Sequence, residues 1–88
     1  MAELPVPRPQ ITARLRKIEG QIRGVAAMVE QERPCVDILV QLAATKSAIH
    51  SVAALVLQNY ASICMEQKVG ADAGRDLARA VAMWVGRG

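Results

Sequence analysis

The 88-residue sequence has no phenylalanine, a single tryptophan and a single tyrosine. With 52% hydrophobic residues but 2% aromatics, its core must be built from Ala, Val, Leu and Ile, a composition that suits closely packed helices. Without aromatics there is no stacking surface of the kind that readers of single-stranded RNA use. Two cysteines, one histidine and no Cys-x-x-Cys pair exclude a zinc finger. No helix-turn-helix pattern is present either. No secretory leader pattern is seen, so the expected compartment is a reducing cytoplasm, where thiols are reactive or ligating rather than structural. No membrane span is expected, because Lys46, His50 and Ser51 interrupt the one long apolar run.

The most informative absence is of glycine and proline between Cys35 and Lys68, a stretch bounded by Pro34 and Gly70. One uninterrupted helix of roughly 50 Å is expected there, too long for so short a chain to enclose. Val36, Leu39, Val40, Leu42, Ile49, Val52, Leu55, Val56, Leu57 and Ile63 fall on more than one of its faces, so it needs cover on several sides. An obligate oligomer follows. The two cysteines stand at opposite ends of this helix, 29 positions and about 43 Å apart. A disulfide requires Cα atoms within about 7 Å, so they cannot meet within one intact helix. They meet if a second copy lies antiparallel, with the two-fold axis near Ile49 and His50 and two equivalent Cys35–Cys64′ sites per dimer. Spacing alone leaves the alternative that both are small buried hydrophobes.

The rest of the chain is read as two further helices. Residues 1–9, with Pro5, Pro7 and Pro9, are expected to form a flexible N-terminal arm ahead of a single helical domain, residues 10–88. Ile11, Leu15, Ile18, Ile22, Val25 and Val29 recur at intervals of 4, 3, 4, 3 and 4, a heptad seam for a helix over about 10–32. Pro34 ends it and can open the long helix over 35–68. Asp72 is the expected N-cap of a third helix over about 73–85, with an apolar stripe of Leu77, Val81, Trp84 and Val85. The expected fold class is all-α: three helices per chain, an antiparallel four-helix-bundle dimer assembling to a tetramer, the third helix packed outside.

Net charge is only +3, but cations gather on the first helix. Arg8, Arg14, Arg16, Lys17 and Arg23 face the single acid Glu19, and Lys46 adds a charge from the second helix. Arg14 and Gln21 are expected to point away from the apolar seam, with Arg16, Lys17 and Arg23 flanking it. Such a face suits a polyanion, nucleic-acid phosphate first, although a merely solvated face has the same composition. Gly20 and Gly24 within this helix leave room for another backbone or a phosphate, or are simply tolerated.

RLRKIEGQIRG (Arg14–Gly24), Cys35-Val36-Asp37 opening a long helix that continues through Gln41-Leu42-Ala43-Ala44, and a second cysteine near its far end together resemble the copper-sensitive operon repressor (CsoR) family. That family includes nickel- and formaldehyde-responsive repressors. The resemblance covers residues 10–85. It implies an all-α, non-enzymatic repressor that forms dimers and tetramers, binds operator DNA and releases it when an inducer modifies a cysteine site between subunits. With that implication, the basic face supplies the expected DNA contacts: Arg14, Arg16, Lys17, Gln21, Arg23 and Lys46.

Family members sort by the residues at that site. A copper sensor pairs a first cysteine with a His and a second cysteine four residues apart on the partner helix. Here Cys35 and Cys64 match the thiols, but Tyr60 stands at the His position, and a neutral phenol is a poor ligand for soft Cu(I). Pro34 and Ala80 stand where outer Tyr and Glu residues are expected. Nickel sensors need additional nitrogen ligands, and formaldehyde sensors lack the second cysteine. A dithiol site without the His resembles the persulfide-sensing branch, as does Ala44-Thr45-Lys46-Ser47. The expectation is therefore a sulfur-responsive repressor with no resident cofactor, induced by low-molecular-weight persulfides or polysulfides. Cys35, at a helix N-terminus beside Arg33, would attack; Cys64′ would resolve; Tyr60 would shield the site or donate a hydrogen bond. The alternatives are a repressor that holds Cu(I) between the same two thiolates, and a helical adaptor or metal-storage oligomer that does not bind DNA. A sulfur-transfer enzyme is disfavoured because the two thiols meet only across subunits.

Overall fold

The computed structural model describes residues 4–67 and 71–87. Its elements are α1 (Arg8–Glu30), α2 (Cys35–Gln67) and α3 (Ala71–Arg87), with no strand among the described residues. The expected end of α2 at Lys68 and the glycine after it lie outside the described residues.

α1 begins two residues earlier than its heptad pattern. Pro7 is the N-cap and Pro9 lies in the first turn, where a missing N–H costs nothing. It ends two residues early as well, in a turn that has no glycine. Arg33 N–H donates to the Met28 carbonyl at 3.0 Å and Glu32 N–H to that of Val29 at 3.1 Å. Glu32 itself has φ 55°. This is a Schellman closure, with a glutamate in the left-handed position usually given to glycine. The Pro34 carbonyl then accepts from Ile38 N–H at 3.2 Å, so Pro34 precedes α2 rather than starting it. α3 begins before Asp72, which sits in its first turn, 3.7 Å from Arg75, and is not its N-cap.

α1 and α2 form an antiparallel hairpin, and α3 packs on α2; among the described residues α3 does not pack on α1. The molecule measures 52 × 28 × 14 Å, a slab little more than one helix thick. The heptad seam of α1 splits in two. Ile11, Ile18 and Val25 turn towards α2 and are buried or half-buried, whereas Leu15, Ile22 and Val29 remain exposed. α2 divides in the same way: Ile38, Thr45, Val52 and Asn59 are covered, whereas Leu42, Ile49 and Val56 are open. In both helices the open row lies at the +4 position from the covered one. Antiparallel packing carries the two open rows to the same face of the hairpin. Val36 on the rest of α2 is 70% exposed. Among the described residues only Val6, Ile18 and Val52 are buried hydrophobics, each 6% exposed. A single chain therefore has no second layer to close its core.

α2 is long and apolar enough by length and composition to cross a bilayer, so the expected exclusion of a span does not hold on that test. A Lys46 near its middle would cost about 2.5–3.5 kcal/mol at a bilayer centre, and the matching open row of α1 offers an apolar surface in water instead.

In α3, Leu77 and Val81 are half-buried against α2, and Trp84 meets His50 edge to face with ring centres 5.2 Å apart. Val85, expected in the same stripe, is exposed. Within the expected arm, residues 1–3 lie outside the described residues, and Arg8 and Pro9 belong to α1. Val6 is buried and held by Asn59 of α2: its N–H donates to Asn59 Oδ1 and its carbonyl accepts from Asn59 Nδ2, each at 2.9 Å.

Candidate thiol centre and basic face

Cys35 is the first residue of α2 and is exposed; Cys64 lies in its last turn and is half-buried. Both are free thiols. The helix between them is unbroken, so within one chain they are separated by its length, as their spacing requires. In a straight helix of 3.6 residues per turn, 29 positions bring a side chain back to within about 20° of its starting direction. Both thiols therefore emerge on one side of α2. Beside Cys35, Arg33 is engaged with Asp37 at 3.8 Å, so its charge is shared with a carboxylate and not given to the thiol alone.

Tyr60 lies one turn before Cys64. It lines an apolar groove of about 670 Å³ between α2 and α3, together with His50, Leu57, Leu77, Val81 and Trp84. The groove does not reach either thiol. His50 is taken up by Trp84 and stands away from both cysteines. Among the described residues no three His, Cys, Asp or Glu side chains lie close enough to hold a metal ion. Any thiol centre with more than one cysteine must draw on two chains.

Arg14, Arg16, Lys17, Gln21 and Arg23 are all exposed on α1. Counting around an ideal helix reverses their expected order about the seam. At 100° per residue Arg14 and Gln21 lie about 60–80° from its middle, and Arg16, Lys17 and Arg23 about 120–140° from it. The outward surface of α1 is thus Ala13, Gly20, Gly24 and Ala27, flanked by Arg16, Lys17 and Arg23. Nothing lies within 4 Å of a side chain built at Gly20 or Gly24, so the chain's own packing does not require either glycine. Lys46 follows buried Thr45 on α2 and is exposed.

Two groups were not apparent from the sequence. Asn59 sits seven residues after Val52 and fourteen after Thr45, a polar residue in a covered heptad row; that break in the pattern was its only signal. Glu32 carried none.

Comparison with known proteins agrees with this architecture. Residues 8–84 match the family model of metal-sensitive transcriptional repressors. The copper-sensing transcriptional repressor CsoR of Bacillus subtilis is 47% identical over 62 residues, 70% of this chain and 61% of that protein. The copper-sensing repressor RicR of Mycobacterium tuberculosis is 45% identical over 56 residues, 64% of this chain and 58% of its own. The matched stretch thus spans less than two thirds of either relative. Among solved structures, the Cu(I)-bound CsoR of Geobacillus thermodenitrificans superposes with a TM-score of 0.80 at 32% identity, covering 97% of this chain and 98% of that one. The nickel-responsive regulator InrS gives 0.74 at 29%, covering 94% and 98%. By its three helices, its matched span and these relatives, the chain belongs to the metal-sensitive transcriptional repressor family.

Proposed function

We propose that this chain is an operator-binding repressor that works as a homo-oligomer and senses sulfane sulfur through Cys35 of one subunit and Cys64′ of another. The observation that carries the reading is a pair of free thiols on one side of an unbroken 33-residue helix, with a phenol rather than an imidazole one turn before the second. Antiparallel pairing of two α2 helices brings Cys35 beside Cys64′ at each end of a dimer. Stacking the open faces of two hairpins supplies the missing second layer, in the manner of a four-helix bundle. The cations on the outer side of α1 then face away from that core, interspersed with residues small enough to admit a phosphate backbone closely.

The chemistry uses two ordinary thiol exchanges. The Cys35 thiolate attacks the outer sulfur of a persulfide RSSH, expels RS⁻ and becomes Cys35–SSH. The Cys64′ thiolate then attacks the Cys35 sulfur and expels HS⁻, leaving a Cys35–Cys64′ disulfide. Two thiols and one RSSH give one disulfide, RSH and H₂S; the persulfide is the oxidant. For the cross-link to act as a switch, it must be more stable in the arrangement that misaligns the basic faces. The second reading is Cu(I) induction, supported by copper-sensing relatives and by a dithiolate that can hold Cu(I) linearly.

The test is operator affinity by fluorescence anisotropy with duplex DNA from upstream of the gene. Reduced protein is measured alone, with glutathione persulfide and with Cu(I). Release by persulfide but not by Cu(I) is expected. Release by Cu(I) alone would establish the copper reading, and failure of reduced protein to bind would refute DNA recognition.

A further inference from the structure

We infer that Asn59 is a positioning residue, and that Pro5-Val6-Pro7 is a strap through which it ties the Cys64 end of α2 to the start of the basic helix. The inference rests on the thiol-switch reading above and adds how the switch reaches the DNA face. Asn59 is 7% exposed, and both of its polar atoms are spent on one residue, the N–H and the carbonyl of Val6, which lies 53 positions away in the sequence. Within Pro5-Val6-Pro7 only Val6 has an N–H, so this is the one place where a carboxamide can grip the segment by both edges. The prolines also make the grip inexpensive. Each fixes its own φ, and each holds the residue before it extended, so the arm loses little entropy on seating.

The strap has no slack on its α1 side. The residue after Val6 is Pro7, the N-cap of α1, whose carbonyl accepts from Gln10 N–H at 3.0 Å. On its α2 side, Asn59 precedes Cys64 by five residues, about 7.5 Å along the axis. A pull on Cys64 towards a partner's Cys35 therefore acts within one and a half turns of the clip. Two hydrogen bonds from one carboxamide to one residue tolerate little rotation of their carrier, because such bonds weaken steeply with angle. The seated strap is the state of the unmodified chain. Cross-linking unseats it and frees the first turn of α1, and with it the alignment of the cations that follow.

The experiment follows hydrogen exchange of the Val6 amide and operator affinity in the same full-length samples, before and after glutathione persulfide, with mass spectrometry counting modified thiols. In the wild-type protein, Val6 exchange is expected to rise on the order of tenfold once Cys35 and Cys64 are linked. In Asn59→Leu, which keeps the volume but removes both bonds, Val6 is expected to exchange fast throughout. The thiols should link as in the wild type, yet the drop in operator affinity on linking should shrink by about tenfold, the scale of a typical coupling energy. Pro7→Gly, which leaves the clip and slackens the connection, should keep Val6 protected in the reduced state and still lose coupling. Linked thiols and released DNA with Val6 still protected would overturn the strap and leave the switch standing. Unmodified thiols with DNA still bound would overturn the switch, and the strap with it.

Discussion

Replacing Glu32 by glycine is expected to stabilise the protein. Glu32 closes α1 with φ 55°, a conformation that costs a residue with a β-carbon about 1–2 kcal/mol. Glycine adopts it freely but gives the unfolded chain extra freedom worth about 0.5–1 kcal/mol. The difference leaves about 1 kcal/mol in favour of glycine, or about 4–8 °C in the melting temperature of a domain this size. Glu32→Ala is the control for the lost charge; it keeps the β-carbon and should melt within a degree or two of the parent. Glu32→Val adds a branched carbon in the same left-handed position and should melt lowest of the four. The measurement is ellipticity at 222 nm through a thermal scan, with all four proteins at one concentration because association contributes to stability. A valine variant as stable as the glycine variant would show that the turn is not left-handed at Glu32. The hydrogen bonds from Glu32 and Arg33 back to Val29 and Met28 would then need another explanation.

Three further outcomes are expected. Lys17→Ala should weaken operator binding about equally on all sequences and lower the slope of log affinity against log salt by about 1, as loss of one phosphate contact does; an unchanged slope would remove Lys17 from the DNA face. Gly20→Ala, at an open and helical site, should stabilise the protein by about 1 kcal/mol in denaturant melts while weakening operator binding, and tighter binding would show that no backbone approaches there. The melting temperature should climb over a hundredfold rise in protein concentration, because one chain leaves its apolar face uncovered; a constant value would mean that the slab stands alone.

The helices were legible because their signals are local and repeated. The intervals of Ile11 to Val29 marked out α1, and the lack of Gly or Pro marked α2 as one unbroken helix. Composition also anticipated that the chain lacks enough of itself to cover α2. The boundaries were harder, since Pro7 caps α1 and Pro9 lies in its first turn although proline elsewhere ends helices. The seating of Val6 was not legible for a related reason. Three prolines suggest a segment without structure, yet proline also lowers the entropy lost on docking, and the docking partner is a single side chain 53 residues away. Long-range pairing of that kind leaves no periodic trace beyond a polar residue in an apolar row. At the thiol centre the residue types and their spacing were readable. Around α1 the seam was also readable, and which cations turn outward follows from counting 100° per residue around it.

The unbroken length of α2 bears on how a dimer of this kind would count its signals. If each end of an antiparallel pair holds one Cys35–Cys64′ couple, the couples lie about 43 Å apart, the length of about 13 base pairs, and share no side chain. Chemistry at one end gives the other no direct advantage. Such a dimer has three oxidation levels: none, one or both ends closed. The middle level is asymmetric, with one basic helix released and its counterpart still aligned. DNA occupancy would then fall in two steps as sulfur accumulates, the first at the level where half of the thiols have reacted.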